Sequence, residues 1–446
     1  MKLNRGAREL QMEHMPYIAE PPAPARVGLR RLEWVTVTVG LFINSGAVFP
    51  LLMQGADGIL DDAERAQLRV IYLPIYALCF GLLAIRPRSL IKAGVRNLPL
   101  LLLLVLPLVS TLWSMGPSLS MRRAVALILS MGLAFLLATR FTPREQIIVV
   151  GWAVGATLVM SFVAGVAWPS LAFTPYDGTM RGVFFNKNVF GWMSVILIIA
   201  GIAARHDVTT RLRRAGMVML VLGWTGCLLS GSMTSLFAAV TAVLISQAVL
   251  MIARRQGIAR LVFQFGIILG IVVLSVIIAF GFVPLLDALG KDVTLTGRTP
   301  LWALLDIEIA KHPILGQGYG AFWSPNNLTM WKIWETLRWG PPHAHSGYRD
   351  LLLSIGVVGL GLFAVVTVRA VHQAIALTAQ APRDGWLWCV VLILSVLVMN
   401  LTESNILMQN DMIWILFSTA VLSASYNHAE ARRSLPRFMH LATSAT

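Results

Sequence analysis

The sequence predicts an all-α integral membrane protein of about twelve transmembrane helices, with one large, partly helical outer loop between helices nine and ten. Of its 446 residues, 57% are hydrophobic and 13% are charged, and the mean hydropathy is +0.73, far from ordinary soluble domains. The apolar residues form blocks of roughly 17 to 25, the length that crosses about 30 Å of hydrocarbon as a helix. Soluble enzymes, fibrous proteins and disordered chains are therefore excluded.

The chain divides into five parts. Residues 1–32 are polar and Pro-rich, with no apolar core before Trp34, which predicts a cytoplasmic tail rather than a cleavable signal peptide. Spans one to nine occupy 33–286, the large outer loop 287–344, spans ten to twelve 345–427, and a second cytoplasmic tail 428–446. The predicted spans are 33–53, 68–85, 97–113, 121–139, 145–168, 183–204, 215–230, 233–252, 260–286, 345–370, 384–402 and 410–427.

Charge sets the expected orientation. With both ends on the cytoplasmic side, 24 of the 36 Lys and Arg residues lie in cytoplasmic segments, as the positive-inside rule requires. The net charge of +15 is therefore mostly topogenic and does not point to nucleic acid. The basic run at 86–96 is interpreted as orienting charge against anionic lipid.

The outer loop is the region with room for chemistry outside the membrane. It contains a helix-like piece, Pro300 to Lys311, then His312-Pro313 and the Gly-rich turn GQGYGAF at 316–322. A Trp-rich segment follows, and its rings suit the membrane interface. We expect this loop to be partly helical and to lie against the bilayer surface.

Several familiar catalytic motifs are absent from the sequence: there is no Walker A loop, HExxH, Cys/His metal spacing or GxSxG elbow. The three cysteines, each inside an apolar block, are predicted to be packing residues. Four acidic residues in the first outer loop could hold Mg²⁺ or Mn²⁺, or could form a solvated helix cap and acidic face: Asp57, Asp61, Asp62 and Glu64. We favour the cap, and predict no metal and no cofactor.

The candidates for chemistry are outer-side cations and one base. Arg181 and Arg298 suit a diphosphate because guanidinium forks match phosphate oxygens, although a salt bridge to Asp177 or Asp292 is the alternative. Lys187 lies among apolar and aromatic residues, where it binds a ligand or snorkels to the interface. His345 could act as a general base near neutral pH, or simply cap a helix.

A second group of outer residues has candidate accessory roles. These residues open or flank spans four, six and ten. They are Arg122, Arg123, Asn186, Asn188, His343 and Arg349.

The order of four segments resembles the O-antigen ligase and polymerase superfamily. These are RGVFFNKNVFGW at 181–192, GR at 297–298, HPILGQGYGAF at 312–322 and AHSGYRDLLLSIGVVGLGLF at 344–363. In that superfamily the loop ends in a His-[Asn/Ser/Gln] pair followed by a Leu-rich helix with Gly-x-x-Gly. His345-Ser346, Gly356 and Gly359 match this pattern.

The resemblance implies a GT-C-like, metal-independent, inverting glycosyltransferase at the periplasmic face of the bacterial inner membrane. Its donor would be a glycan on undecaprenyl diphosphate, with Arg181 and Arg298 binding the diphosphate and His345 as the catalytic histidine. The nearest activity is ligation of O-antigen to the lipid A core oligosaccharide, in contact with membrane lipids and not with nucleic acid.

Three alternatives stay open. The related polymerase differs in its acceptor and is hardly separated by sequence. A protein O-oligosaccharyltransferase would place the glycan on Ser or Thr. A transporter or flippase would suit twelve spans, but transporters typically show two related halves, and this chain has one lopsided outer loop.

Overall fold

The computed structural model describes residues 27–47, 49–52, 62–253, 255, 258 and 297–443, with side chains described there except at 51–69 and 431–443. These ranges fold into helices joined by short loops. The helices are α1 Val27–Asn44, α2 Phe49–Leu52, α3 Asp62–Ala84, α4 Pro87–Arg96, α5 Leu98–Val109, α6 Pro117–Arg140, α7 Pro143–Ala167, α8 Pro169–Ala172, α9 Lys187–Arg205, α10 Thr210–Leu229, α11 Met233–Ala253, α12 Arg298–Lys311, α13 Leu328–Leu337, α14 Gly347–Gln380, α15 Trp386–Met399 and α16 Met412–Thr443.

The predicted all-helical membrane architecture is confirmed. Within the described residues, α6, α7, α9, α10, α11 and α14 are long and apolar enough to cross a membrane, and α3 and α4 meet at a bend of 97° that could make a seventh span. α5 and α15 are apolar but shorter. Eleven of the predicted spans overlap a helix, and the ninth, 260–286, lies outside the described residues. The count of twelve and the orientation stay predictions.

Small residues let α9 approach α10 closely at the centre of the bundle. A Cβ added to Gly201 would lie 2.9 Å from the carbonyl oxygen of Gly216, and one added to Gly223 would lie 3.0 Å from that of Ser194. Nearly all of α9 from Phe190 onward is buried. Helices in a membrane associate through close van der Waals packing rather than through a hydrophobic driving force, so these glycines position α9.

The outer loop has a small apolar core of its own. Leu301 and Leu305 of α12 and Phe322 are fully buried in it, with Trp323 and Trp339 packed against them. The predicted helix at 300–311 is confirmed, and begins two residues earlier at Arg298. Trp331 is half exposed, whereas Trp323 and Trp339 are partly buried against this core. The location of the tryptophan rings at the membrane interface stays a prediction.

The Gly-rich turn fills a break in α14. The helix is interrupted at Ile355 and at Gly356, whose φ and ψ are 63° and −163°. Beyond the break, the N–H of Val357 donates to the carbonyl of Pro313 at 2.9 Å. Before it, the carbonyls of Leu353 and Ser354 accept from the N–H groups of residues 317 and 318 at 2.8 and 3.0 Å. Backbone groups that the break would leave unpaired in an apolar setting are thus satisfied by the loop.

The same turn is held from the opposite side by the end of α5 and the start of α6. The Tyr319 N–H donates to Ser110 Oγ at 3.0 Å, and Ser120 Oγ donates to the Tyr319 carbonyl at 2.9 Å. Arg123 Nη1 donates to the carbonyl of Gly320 at 2.6 Å. The turn therefore fixes the outer loop against α5, α6 and α14.

Candidate functional site

His345 lies in the short segment that leads from the outer loop into α14. The segment is fixed through Ala344, whose carbonyl accepts from Trp302 Nε1 at 2.8 Å and whose N–H donates to the Asp350 carboxylate at 3.1 Å. His345 itself has a φ of 48°, in the left-handed region that few non-glycine residues adopt. Such backbone strain is held in place by its surroundings and is frequent at functional sites. The direction of the imidazole is therefore set by the fold.

Glu403 faces His345 from the loop between α15 and α16. Its side chain is 1% exposed, and its Oε2 lies 3.6 Å from Nδ1 of His345. That Nδ1 is buried and has no hydrogen-bond partner among the described residues. A small decrease in the distance between these two atoms would allow a hydrogen bond between the side chains. Catalytic hydrogen bonds are often long before a ligand binds.

The loop that carries Glu403 is pinned to the start of α14. The Gly347 N–H donates to the carbonyls of Glu403 and Asn400 at 2.7 and 3.0 Å. The Asn400 side-chain oxygen accepts from the N–H of Asn405 at 2.8 Å, which closes the loop on itself. The carboxylate and the imidazole thus belong to one rigid unit.

Arg298 joins the same group of residues from α12. Its Nη2 donates to Glu403 Oε1 at 3.0 Å, and its side chain is 12% exposed. A guanidinium carries five N–H donors, and the other N–H groups of Arg298 have no hydrogen-bond acceptor in the described part of the chain. Asp292, the other acid considered as a partner for an arginine, lies outside the described residues. The structure thus brings together two predicted residues that are 47 positions apart in sequence, through an acid that was not predicted.

His343 has a supporting position beside this group. Its Nδ1 accepts from the N–H of His345 at 3.2 Å, and the two rings lie 4.2 Å apart between centroids. Burial, and then the neighbouring charges of His345 and Arg298, lower the pKa of His343 to about 3. His343 is therefore neutral near pH 7, and that ring nitrogen is occupied by the backbone.

Arg181 lies in the loop before α9, and Lys187 is the first residue of α9. Arg181 Nε donates to the carbonyl of Leu171 at 2.9 Å. Lys187 donates to Asp177 at 2.5 Å, and this lysine, with the hydroxyls of nearby threonines, holds the pKa of Asp177 well below its ordinary value. Asp177, considered above as a partner for an arginine, is thus paired with Lys187. No hydrogen bond or ion pair among the described residues joins Arg181 or Lys187 to Arg298 or His345.

The accessory candidates mostly hold the scaffold. Arg349 makes a bidentate ion pair with Asp306 at 2.8 and 2.9 Å, which ties α14 to α12. Arg123 binds the Gly-rich turn, as described above. Asn186 caps α9 by accepting from the Val189 N–H at 3.0 Å. Arg122 is exposed, and Asn188 is half-buried.

The side chains of the four acidic residues in the predicted first outer loop all lie outside the described part of the chain. Asp57 and Asp61 lie outside the described residues, as do the side chains of Asp62 and Glu64. In the side chains that are described, no three His, Cys, Asp or Glu residues converge as metal ligands would. The three cysteines are free and buried, as predicted for packing residues.

Glu403 is the functional candidate that the sequence interpretation missed. A signal was present: Glu403 directly follows the predicted span 384–402, and an ionisable group at membrane depth is expensive unless it has a partner. Its partners lie 58 and 105 residues earlier in the chain, at His345 and Arg298, so spacing alone could not reveal them.

Comparison with known proteins supports the resemblance found in the sequence. Residues 218–364 match the family model described as O-antigen ligase. This match includes α12, the Gly-rich turn, His345 and the break in α14, and it excludes Arg181 and Glu403.

A curated relative extends the similarity to most of the chain. The exopolysaccharide production protein ExoQ of Rhizobium meliloti (strain 1021) is 28% identical over 330 residues, which cover 71% of this chain and 74% of that protein. The predicted similarity to the O-antigen ligase and polymerase superfamily is confirmed.

Proposed function

We propose that this chain, which is similar to the family described as O-antigen ligase over residues 218–364 and to an exopolysaccharide production protein over most of its length, is a glycosyltransferase of that superfamily that moves a glycan from a polyprenyl diphosphate to a sugar hydroxyl. The observation that carries the proposal is the meeting of Arg298 and His345 on the two sides of Glu403. A fixed cation and a fixed base side by side are what a single displacement at an anomeric carbon needs.

The donor diphosphate is bound at the start of α12. Arg298 is the first residue of this helix, and helix N-termini favour anions because their dipole and N–H groups face the ligand. The unused donors of Arg298 would bind the phosphate oxygens and stabilise the charge that builds on the leaving group. Arg181, in the loop before α9, and Lys187, at the start of α9, are kept as proposed donor-binding residues.

His345 then acts as the base. Its Nε2 has no hydrogen-bond partner among the described residues, whereas Nδ1 faces Glu403. The acceptor hydroxyl gives its proton to Nε2, its oxygen bonds to the anomeric carbon, and the bond to the diphosphate oxygen breaks with its electron pair on the leaving group. One displacement inverts the anomeric configuration.

For the acceptor we propose the lipid A core oligosaccharide, with the reaction at the periplasmic face of the bacterial inner membrane and undecaprenyl diphosphate as the carrier. The description of the matching family as O-antigen ligase supports this acceptor. A second candidate is a polymerase that extends a glycan on the same carrier, which the name of the exopolysaccharide relative favours.

Gene deletion separates the two acceptors. We expect the lipopolysaccharide of the deletion strain to lose its O-antigen ladder, to keep its core and to accumulate lipid-linked polymer. Core bearing single repeat units, or loss of exopolysaccharide with a normal ladder, would favour the polymerase. If both polysaccharides are unchanged, the proposal of a glycan transferase is wrong.

Substitution of Arg298 tests the donor site. In Arg298→Gln, we expect the affinity for undecaprenyl diphosphate to fall by about 10- to 100-fold, because one charge-assisted contact is worth about 1.5–3 kcal/mol. Arg298→Lys keeps the charge but loses the planar guanidinium group, so its donor affinity should lie between that of the wild type and that of Arg298→Gln. Fluorescence quenching with purified protein measures this.

The matched control for that measurement is Lys332→Gln, which removes a cation from an exposed position on α13 of the same loop. It should bind the donor as the wild type does. An Arg298→Gln protein with unchanged donor affinity would remove Arg298 from the diphosphate site.

A further inference from the structure

Glu403 is buried at the one place where the proposed cation and the proposed base meet. Its two oxygens are divided between them: Oε1 accepts from Arg298 Nη2 at 3.0 Å, and Oε2 lies 3.6 Å from His345 Nδ1. Burial of a carboxylate that is 1% exposed costs free energy unless each oxygen has a partner. Within the described residues, Oε1 has a hydrogen bond to Arg298, whereas Oε2 has only the longer contact with His345. His345 Nδ1, which faces Oε2, is likewise buried without a hydrogen-bond partner among the described residues.

We propose that Glu403 is a positioning residue of the transfer reaction, which fixes the orientation and tautomer of His345. This inference rests on the proposed function. With the Nδ1 proton directed at Oε2, the lone pair of the imidazole is placed on Nε2, where it can accept the proton of the acceptor hydroxyl. The carboxylate then stabilises the imidazolium that forms when that proton arrives, as in other acid–histidine pairs.

Among the described residues, Glu403 is the acid with a carboxylate oxygen within 4 Å of the imidazole, and the Asp350 carboxylate, which accepts from the Ala344 N–H, is a second acidic group that interacts with His345. His343 lies 4.2 Å away between ring centroids and is neutral, Trp339 lies 5.8 Å away, and Arg298 is cationic. An imidazolium at His345 would be repelled by Arg298 in the absence of Glu403. The carboxylate therefore allows a diphosphate-binding cation and a proton-accepting base to lie side by side.

The position of Glu403 predicts opposite effects on binding and on turnover. Glu403 competes with the donor diphosphate for Arg298, so loss of its charge should leave donor affinity unchanged or make it tighter. The same loss removes the partner that orients and charges His345, so turnover should fall. A residue with a merely structural role would weaken both, because the site would be disordered.

The experiment uses the purified full chain with Glu403→Gln, which keeps the shape and an oxygen acceptor for Arg298 but removes the charge. We expect kcat to fall by about 10²-fold or more, with the dissociation constant for undecaprenyl diphosphate unchanged or lower. Glu403→Asp keeps the charge and should recover part of kcat. Glu335→Gln, on the exposed side of α13, is the control and should match the wild type.

The outcomes separate this inference from the function on which it rests. A Glu403→Gln protein with kcat within about 3-fold of the wild type, or with donor affinity lost in parallel with kcat, overturns the positioning role. If His345→Ala and Arg298→Gln are also fully active, the proposed function fails as well. If those two are impaired while Glu403→Gln is not, the proposed function stands and the role of Glu403 does not.

Discussion

Replacement of His345 by alanine is expected to reduce glycan transfer by about 10²- to 10⁴-fold, the range that a positioned general base contributes. Arg298 and Glu403 keep their ion pair without the imidazole, so the donor should still bind with an affinity within a few fold of wild type. Transfer by purified protein from a polyprenyl-diphosphate glycan to lipid A core oligosaccharide measures the first quantity, and quenching titrations measure the second.

His312→Ala is the matched control for this substitution. His312 lies in the same loop at the end of α12, where its side chain is exposed. Transfer by this variant should equal that of the wild type. His343→Ala is a further comparison, because this neutral ring supports the His345 backbone, and its loss should cost less than loss of His345. Wild-type transfer rates in His345→Ala would rule out His345 as the base.

The elements of the fold could be predicted because each depends on local information. Apolar blocks of sufficient length predict helices wherever they occur, and eleven of the predicted spans overlap one. The number that crosses the membrane is less accessible. α15 has only 14 residues, and α3 turns into α4 through a bend of 97°, features that depend on how neighbouring helices pack.

The sequence predicted the cations and the imidazole of the candidate site, but it did not predict which side chains pair with one another. Arg298 and His345 stand out in the sequence because of their residue types and their position on the predicted outer side. Glu403 reaches them only through the folded chain, and Asp306 pairs with Arg349 in the same long-range way. Such pairs have no sequence period, so a local interpretation gives residues without partners. Asp177 gives a second example, since this acid, considered only as an alternative partner for an arginine, pairs with Lys187.

The break in α14 is the feature on which the position of His345 most depends. His345 and the first turns of α14 precede the break, and the remainder of this helix follows it. The segment from Pro313 to Gly318 bonds to backbone groups on both sides of Gly356. The Gly-x-x-Gly pattern thus has a physical role: Gly356 turns the chain, and the absence of a side chain at Gly359 leaves room for Ile355.

Replacement of Gly356 by alanine should therefore be severely destabilising. Its φ of 63° with ψ of −163° is a conformation that is essentially limited to glycine, and a Cβ there would lie 2.2 Å from the Ile314 carbonyl oxygen. The segment that contains Ile314 cannot move away without loss of the backbone hydrogen bonds that it makes with α14 on both sides of Gly356. We expect a loss of stability on the order of 3 kcal/mol and little transfer activity.

The measurement is a thermal melt of purified protein with a thiol-reactive dye, because Cys79, Cys227 and Cys389 are buried and react only as the chain opens. Gly361→Ala is the control on the same helix, five residues further on. A Cβ at Gly361 meets nothing within 4 Å, and alanine favours a helix by up to about 1 kcal/mol, so its melting temperature should be equal to or higher than that of the wild type. Equal melting temperatures for the two variants would show that the break in α14 is not held by the loop, and the fixed position of His345 would need another cause.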